Sequence, residues 1–158
     1  MPHIHERVDF TSEVFVVFKD KVLLRKHDKY KIWLSVGGHV EPEDDPNQVA
    51  VREVKEEVGL DVELYDGRKF KHESDGYKEL IPPQFMNRHR ISDTHEHVTM
   101  TYFAVSTTDA LDVDIVKEVS DELRWFSKEE LAQLEQGISE PVRHYALSAL
   151  ETCTNKIV

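Results

Sequence analysis

The chain has 158 residues, of which 39% are apolar and 32% charged, with a formal net charge of −11 and one cysteine. This length suits one domain with a buried core, and the acidity argues against non-specific nucleic-acid binding, which needs a basic surface. No run approaches the roughly 18 apolar residues of a membrane span, the start "MPHIHERVDF" has no apolar signal core, and a lone Cys153 fits a reducing, cytoplasmic setting.

No internal repeat, low-complexity tract or Gly/Ser linker divides the chain, so one domain over 1–158 is expected. Residues 12–26, "SEVFVVFKDKVLLRK", predict two strands joined at Lys19-Asp20-Lys21, a hairpin without glycine. "KIWLSV" is short and apolar and ends at Gly37-Gly38. A helix is predicted over Pro46 to Val58, with Pro46 in its first turn and Gly59 at its C-cap. Its apolar stripe is Ala50, Val51, Val54 and Val58.

"LDVELYDGRKFKHES" reads as a strand bent near Asp66-Gly67, and 73–93, with Pro82-Pro83, as an irregular segment. "HEHVTMTYFAVS" alternates in the β manner and is rich in β-branched and aromatic residues. "LRWFS" is another short strand. Ser127 and Glu130 form a capping-box pattern for a helix over 128–135. A last helix, Glu140 to Cys153, carries Val142, Tyr145, Ala146, Ala149 and Leu150 on its inner side. Helices and strands mix without a strict βαβ rhythm, which predicts an α+β fold built as a mixed-sheet sandwich.

The first helix holds three glutamates. At about 100° per residue, Glu57 lies about 40° from Glu53, and Glu56 about 60° to its other side. The three share one edge of the helix, beside the apolar stripe, with Arg52 adjacent. Grouped carboxylates of this kind are either a solvated acidic face or ligands for a hard cation such as Mg²⁺ or Mn²⁺. Gly37 and Gly38 let the preceding segment pass close to the helix.

The wider spacing decides between them. Gly38, then five residues, Asp44, then seven, then "REVKEEVGL" resembles the Nudix box, G-x5-E-x7-R-E-U-x-E-E-x-G-U with U aliphatic. Gly38, Arg52, Glu53, Val54, Glu56, Glu57, Gly59 and Leu60 match, eight of the nine constrained positions, and Asp44 stands where the pattern has glutamate. The usual proline before the glycine pair is Val36, and Glu43 occupies a position often held by glycine. The upstream hairpin, "IWLSVGGHVE" and "ELRWFSKEEL" extend the likeness over most of the chain.

The resemblance implies an α/β/α sandwich with a mixed sheet and a hydrolase that cleaves a diphosphate linkage in a nucleoside diphosphate derivative. A nucleoside triphosphate, a nucleotide sugar and ADP-ribose are examples of such substrates. It makes Glu53, Glu56 and Glu57 ligands of Mg²⁺ or Mn²⁺, with Glu53 or Glu56 helping to deprotonate the attacking water. Arg52 orients these glutamates, while Gly37 and Gly38 shape the loop. Dimerisation is frequent in the family, so a homodimer belongs to the expectation. Asp44, shorter by a methylene, leaves open a second reading: a catalytically weak Nudix-fold module that binds or senses a nucleotide.

Outside the box, "HEHVTMTYF" puts His95, His97 and Thr99 on one strand face and Glu96, Val98 and Met100 on the other. Many relatives add an acidic residue from outside the box, which nominates Glu96 against the alternative of an exposed charge. His95 and His97 read as a polar strand face or as ligands of phosphate or a transition metal. Phe85, Arg88 and Arg90 are suited to stacking a base and holding phosphates.

Overall fold

The computed structural model describes residues 7–112, 114 and 122–154. Strand β1 (Val8–Phe18) is the spine of the sheet, and every second residue along it is committed to one face. It turns at Lys19, held at φ 54°, into β2 (Lys21–Lys26), so the expected glycine-free hairpin forms at the cost of one left-handed lysine. The short strands β3 (Trp33–Leu34) and β4 (Val36–His39) follow, pairing with β2 and β1 respectively.

Helix α1 (Pro46–Val58) starts where Asp45 accepts from the Gln48 amide and Gln48 answers to the Asp45 amide, a reciprocal cap. It stops at Gly59, whose φ of 76° is cheap for glycine alone. Strand β5 (Val62–Leu64) is shorter than the sequence predicts. Beyond it Asp66 accepts from the Arg68 guanidinium at 2.7 and 2.9 Å, which holds the chain in a turn and keeps the Asp66 carboxyl far below its ordinary pKa.

The segment 73–93, expected to be irregular, contains a small hairpin, β6 (Glu73–Ser74) with β7 (Tyr77–Lys78), and then β8 (Phe85–Arg90). This corrects the sequence reading. "FMNRHR" carries no apolar alternation because much of it is exposed, and its strand character comes from backbone pairing with β9 (Glu96–Ser106). Strand β10 (Glu122–Ser127) leads through a Ser127–Glu130 capping box into α2 (Lys128–Gln133), and α3 (Glu140–Cys153) closes the described chain.

The central order is β10-β2-β1-β9-β5, with β8 along β9. β1 and β9 run parallel from Val8↔Glu96 to Val17↔Val105, while the other pairs are antiparallel. The result is the mixed sheet of an α/β/α sandwich. On one face Val14, Val16, Leu23, Tyr102 and Ala104 pack under Ala50, Val54 and Val58 of α1. On the other, Phe15, Val17, Leu24, Phe103 and Phe126 meet Leu131 of α2 and Ala146, Ala149 and Leu150 of α3. The last-helix stripe lies where expected, extended by buried Cys153.

Candidate active site

Helix α1 is rotated from the orientation its valines suggest. Val49 is fully buried, whereas Val51 is exposed at 39%. With about 100° between residues, a buried arc running from Val49 to Val58 contains Glu53 and Glu57 as well as Ala50 and Val54. The carboxylates of Glu53 and Glu57 therefore point inward, each 18% exposed, while Glu56 stands at the edge at 61%. Inward-facing charges are costly unless a cation or hydrogen bonds compensate them.

The compensation is partial. Burial, and then the neighbouring Glu56, pushes the Glu53 pKa above its ordinary value, opposed by Arg52, His39 and Arg25. Arg25 of β2 places Nη1 3.8 Å from Oε2 of Glu57. Arg52 lies 3.9 Å from both Glu53 and Glu56 and donates to Asp44 Oδ2 at 2.9 Å. The shorter aspartate thus still reaches the arginine, which it anchors between the glutamates.

The glycine pair lies in β4, above this edge of α1. A Cβ on Gly38 would lie 2.5 Å from the Glu53 carboxyl carbon and 2.7 and 2.8 Å from its oxygens. One on Gly37 would lie 2.3 Å from the Ser12 carbonyl oxygen of β1. Both positions require the absence of a side chain, the close approach that the sequence suggests.

Gly38 also lines a cleft of about 390 Å³ on the other side of the strand. The cleft exists because β1 changes partner along one edge, pairing β4 over Thr11–Val14 and β2 at Val17 and Phe18. Where these two strands diverge, Arg25, Leu34 and Ser35 join Thr11, Glu13, His39, His89, His97 and Thr99 in the lining. Glu13 accepts from Ser35 Oγ and from Thr101 Oγ1, each at 2.6 Å, and Thr11 and Thr99 share a hydrogen bond of 2.7 Å.

Sequence reasoning missed Glu13 and Arg25. The signal for Glu13 was present: it is a charge directly before the apolar run Val14–Phe18, on the face that Phe15 and Val17 bury. Arg25 has no local signal, because its importance arises from the contact with α1 and its bond from Nε to the Ser35 carbonyl.

Phe85, Arg88, Arg90 and Glu96 do not line the cleft. Phe85 stacks on Tyr145 of α3 at 4.7 Å between ring centres and packs against the core. Arg88 donates from Nε to Glu96 at 2.8 Å, which lowers the Glu96 pKa. Strand alternation puts Arg88, Arg90 and Glu96 on the sheet face of Met100 and Tyr102, which packs under α1, and His89, His97 and Thr99 on the other. His97 does line it, its pKa depressed to about 4 by burial first and then by His39, His89 and His95.

The arrangement is a cleft of about 390 Å³ with a guanidinium at its wall, and a group of carboxylates, two of them turned inward, behind a bare backbone. Oxygen donors so grouped suit a hard divalent cation. A family model described as the NUDIX domain matches residues 11–146. The chain is similar to the crystal structure of a NUDIX-family hydrolase from Clostridium perfringens, with 37% identity and a TM-score of 0.79 over 90% of this chain and 96% of that one. A MutT NUDIX hydrolase from Burkholderia pseudomallei shares the fold at 21% identity and a TM-score of 0.63, covering 94% of this chain and 100% of that one. A MutT protein from Bacillus halodurans does so at 18% identity and a TM-score of 0.59, over 92% and 84%. No curated protein matches the chain.

Proposed function

From the premise that this chain belongs to the NUDIX family and is a pyrophosphohydrolase acting on nucleoside diphosphate-linked substrates, we propose that its hydrolysis depends on Mg²⁺ or Mn²⁺ held by Glu53, Glu56 and Glu57. The observation that carries this reading is the Glu53 carboxylate, turned inward and lodged against the bare backbone of Gly38 at the cleft wall. The donor set fits the ion: three carboxylates on one helix edge, with their repulsion only partly relieved by Arg52 and Arg25. When bound, such an ion neutralises charge on phosphoryl oxygens and lowers the pKa of water.

The chain's own residues supply the rest. Glu53, with its raised pKa, is suited to accept a proton from the attacking water. Arg52, tied to Asp44, holds the glutamates in position, and Arg25 offers a guanidinium to a phosphate in the cleft. The Arg52–Asp44 bond also weighs against the sensing-module reading, since the departure from the box pattern leaves this anchor intact.

The test is a phosphate-release screen over nucleoside triphosphates, nucleotide sugars, ADP-ribose and related diphosphates, with Mg²⁺ and Mn²⁺, using Glu57→Gln as the blank. We expect at least one substrate to turn over well above the blank and only with metal. Turnover that survives Glu57→Gln unchanged, or that persists in chelator, would remove the assignment.

A further inference from the structure

Four of the chain's nine histidines, three of them lining the cleft, gather around one position of β9. His97 is the hub, with its ring centre 5.0 Å from that of His39, 5.2 Å from His95 and 5.7 Å from His89. The sheet register produces the cluster. Asp9 of β1, His97 of β9 and His89 of β8 lie side by side across three strands, so their side chains share one face. His95 lies two residues before His97 on that face, and His39 of β4 stands opposite Thr11, one step along from Asp9.

One oxygen is the focus of the group. Asp9 Oδ2 lies 3.1 Å from His95 Nε2 and 3.6 Å from His39 Nε2, and the donor atoms of Asp9, His95 and His97 all fall within 4.8 Å of one another. Two imidazoles on one ion, each about 2.0–2.1 Å from it, lie about 3.4 Å apart in a tetrahedral site. Asp9 and His95 are mostly shielded, at 15% and 23% exposure, whereas His39 is open to solvent at 52%.

We propose that Asp9, His95 and His97, with His39 at the rim, form a binding site for a borderline transition-metal ion of the Zn²⁺ class, separate from the carboxylates of α1. The donor chemistry makes the distinction. Imidazole nitrogen with a single carboxylate suits Zn²⁺, Co²⁺, Ni²⁺ and Cu²⁺, whereas Mg²⁺ takes oxygen ligands and sheds its water reluctantly. The plainer reading, a charge pair between His95 and Asp9 on a polar strand, explains that contact. It does not explain why His39 and His97, from two other positions of the sheet, also approach the same carboxylate. The proposal does not depend on the function assigned to the glutamates.

The test uses the full chain without an affinity tag, freed of metal by chelator and kept in excess Mg²⁺. Co²⁺ titration should develop the intense visible bands of a low-coordinate nitrogen and oxygen site, and Zn²⁺ should displace it stoichiometrically. Long-range proton–nitrogen NMR of the wild-type protein with Zn²⁺ should shift the coordinating ring nitrogens of His95 and His97. His97→Gln should weaken Co²⁺ binding at least about tenfold, and Glu56→Gln should leave it unchanged. Imidazole resonances that do not move with Zn²⁺, binding equal in wild type and His97→Gln, or suppression by Mg²⁺ would each overturn the proposal. The NMR arm reads the wild-type chain, so it holds even if a variant fails to fold.

Discussion

Gly38→Ala asks whether the Glu53 carboxylate works where it lies. The new Cβ would start 2.5 Å from the Glu53 carboxyl carbon, and ordinary contact begins at 3.4 Å. The obstacle is the end of a side chain, so Glu53 yields and the backbone holds. Overpacking of this kind costs about 1–3 kcal/mol, partly offset by the roughly 0.4–1 kcal/mol that replacing glycine saves in the unfolded chain. The net effect on stability is therefore a loss of about 0–2.6 kcal/mol. The effect on catalysis is larger, because displacing a reacting group by about 1 Å costs on the order of 100-fold. We expect kcat on the best substrate of the screen to fall by about that factor, with KM little changed. Thermal melts and steady-state phosphate release on Gly38→Ala, Glu53→Asp and the double variant complete the cycle. Removing a methylene from Glu53 should relieve the clash, so the double variant should melt above Gly38→Ala. A Gly38→Ala enzyme with wild-type kcat and melting temperature would refute the reasoning.

Folding raises the Glu53 pKa, so the folded chain holds that proton more tightly than the unfolded one. This contribution is fully present below the unfolded pKa and is lost as pH rises through the folded value. In chelator, Glu53→Gln should therefore be more stable than wild type near neutral pH, and Mg²⁺ should raise the wild-type melting temperature more at pH 8 than at pH 5. Equal metal stabilisation at both pH values would contradict this. Asp44→Ala should release Arg52 and lower kcat about 10-fold or more, while the partly exposed pair contributes less than about 1 kcal/mol to stability; steady-state kinetics and urea melts separate the two effects. Lys19→Gly should relieve the left-handed turn at φ 54° and stabilise the protein by about 0.5–1 kcal/mol, read as a higher urea midpoint.

Local signals carried the helices. Pro46, Gly59 and the Ser127–Glu130 pair mark ends through bonds within a few residues of themselves, so their meaning is complete in the sequence. The box was legible for the same reason: its glutamates, Arg52 and Gly38 fall within one loop and one helix. Strands were legible where burial selects apolar, β-branched and aromatic residues, as in β1 and β9, and not where pairing alone defines them, as in β8. The side of α1 that turns inward was also hidden, because Val49 and Val51 are equally apolar and only the sheet beneath decides which of them it covers.

Residue type and spacing in this chain determined a mixed α/β sandwich, the reach of its main helices, and a carboxylate cluster suited to a hard cation. The tertiary structure decided the rest. Register brought Glu13 to Thr101 and Asp9 to His97, each 88 residues apart in the chain; the β1 partner switch opened the cleft; and strand alternation turned Arg88, Arg90 and Glu96 from the cleft to the face under α1. A hydrogen-bonded turn is encoded by neighbours, whereas a site assembled across strands depends on pairing between segments far apart in the sequence, and no local pattern records it.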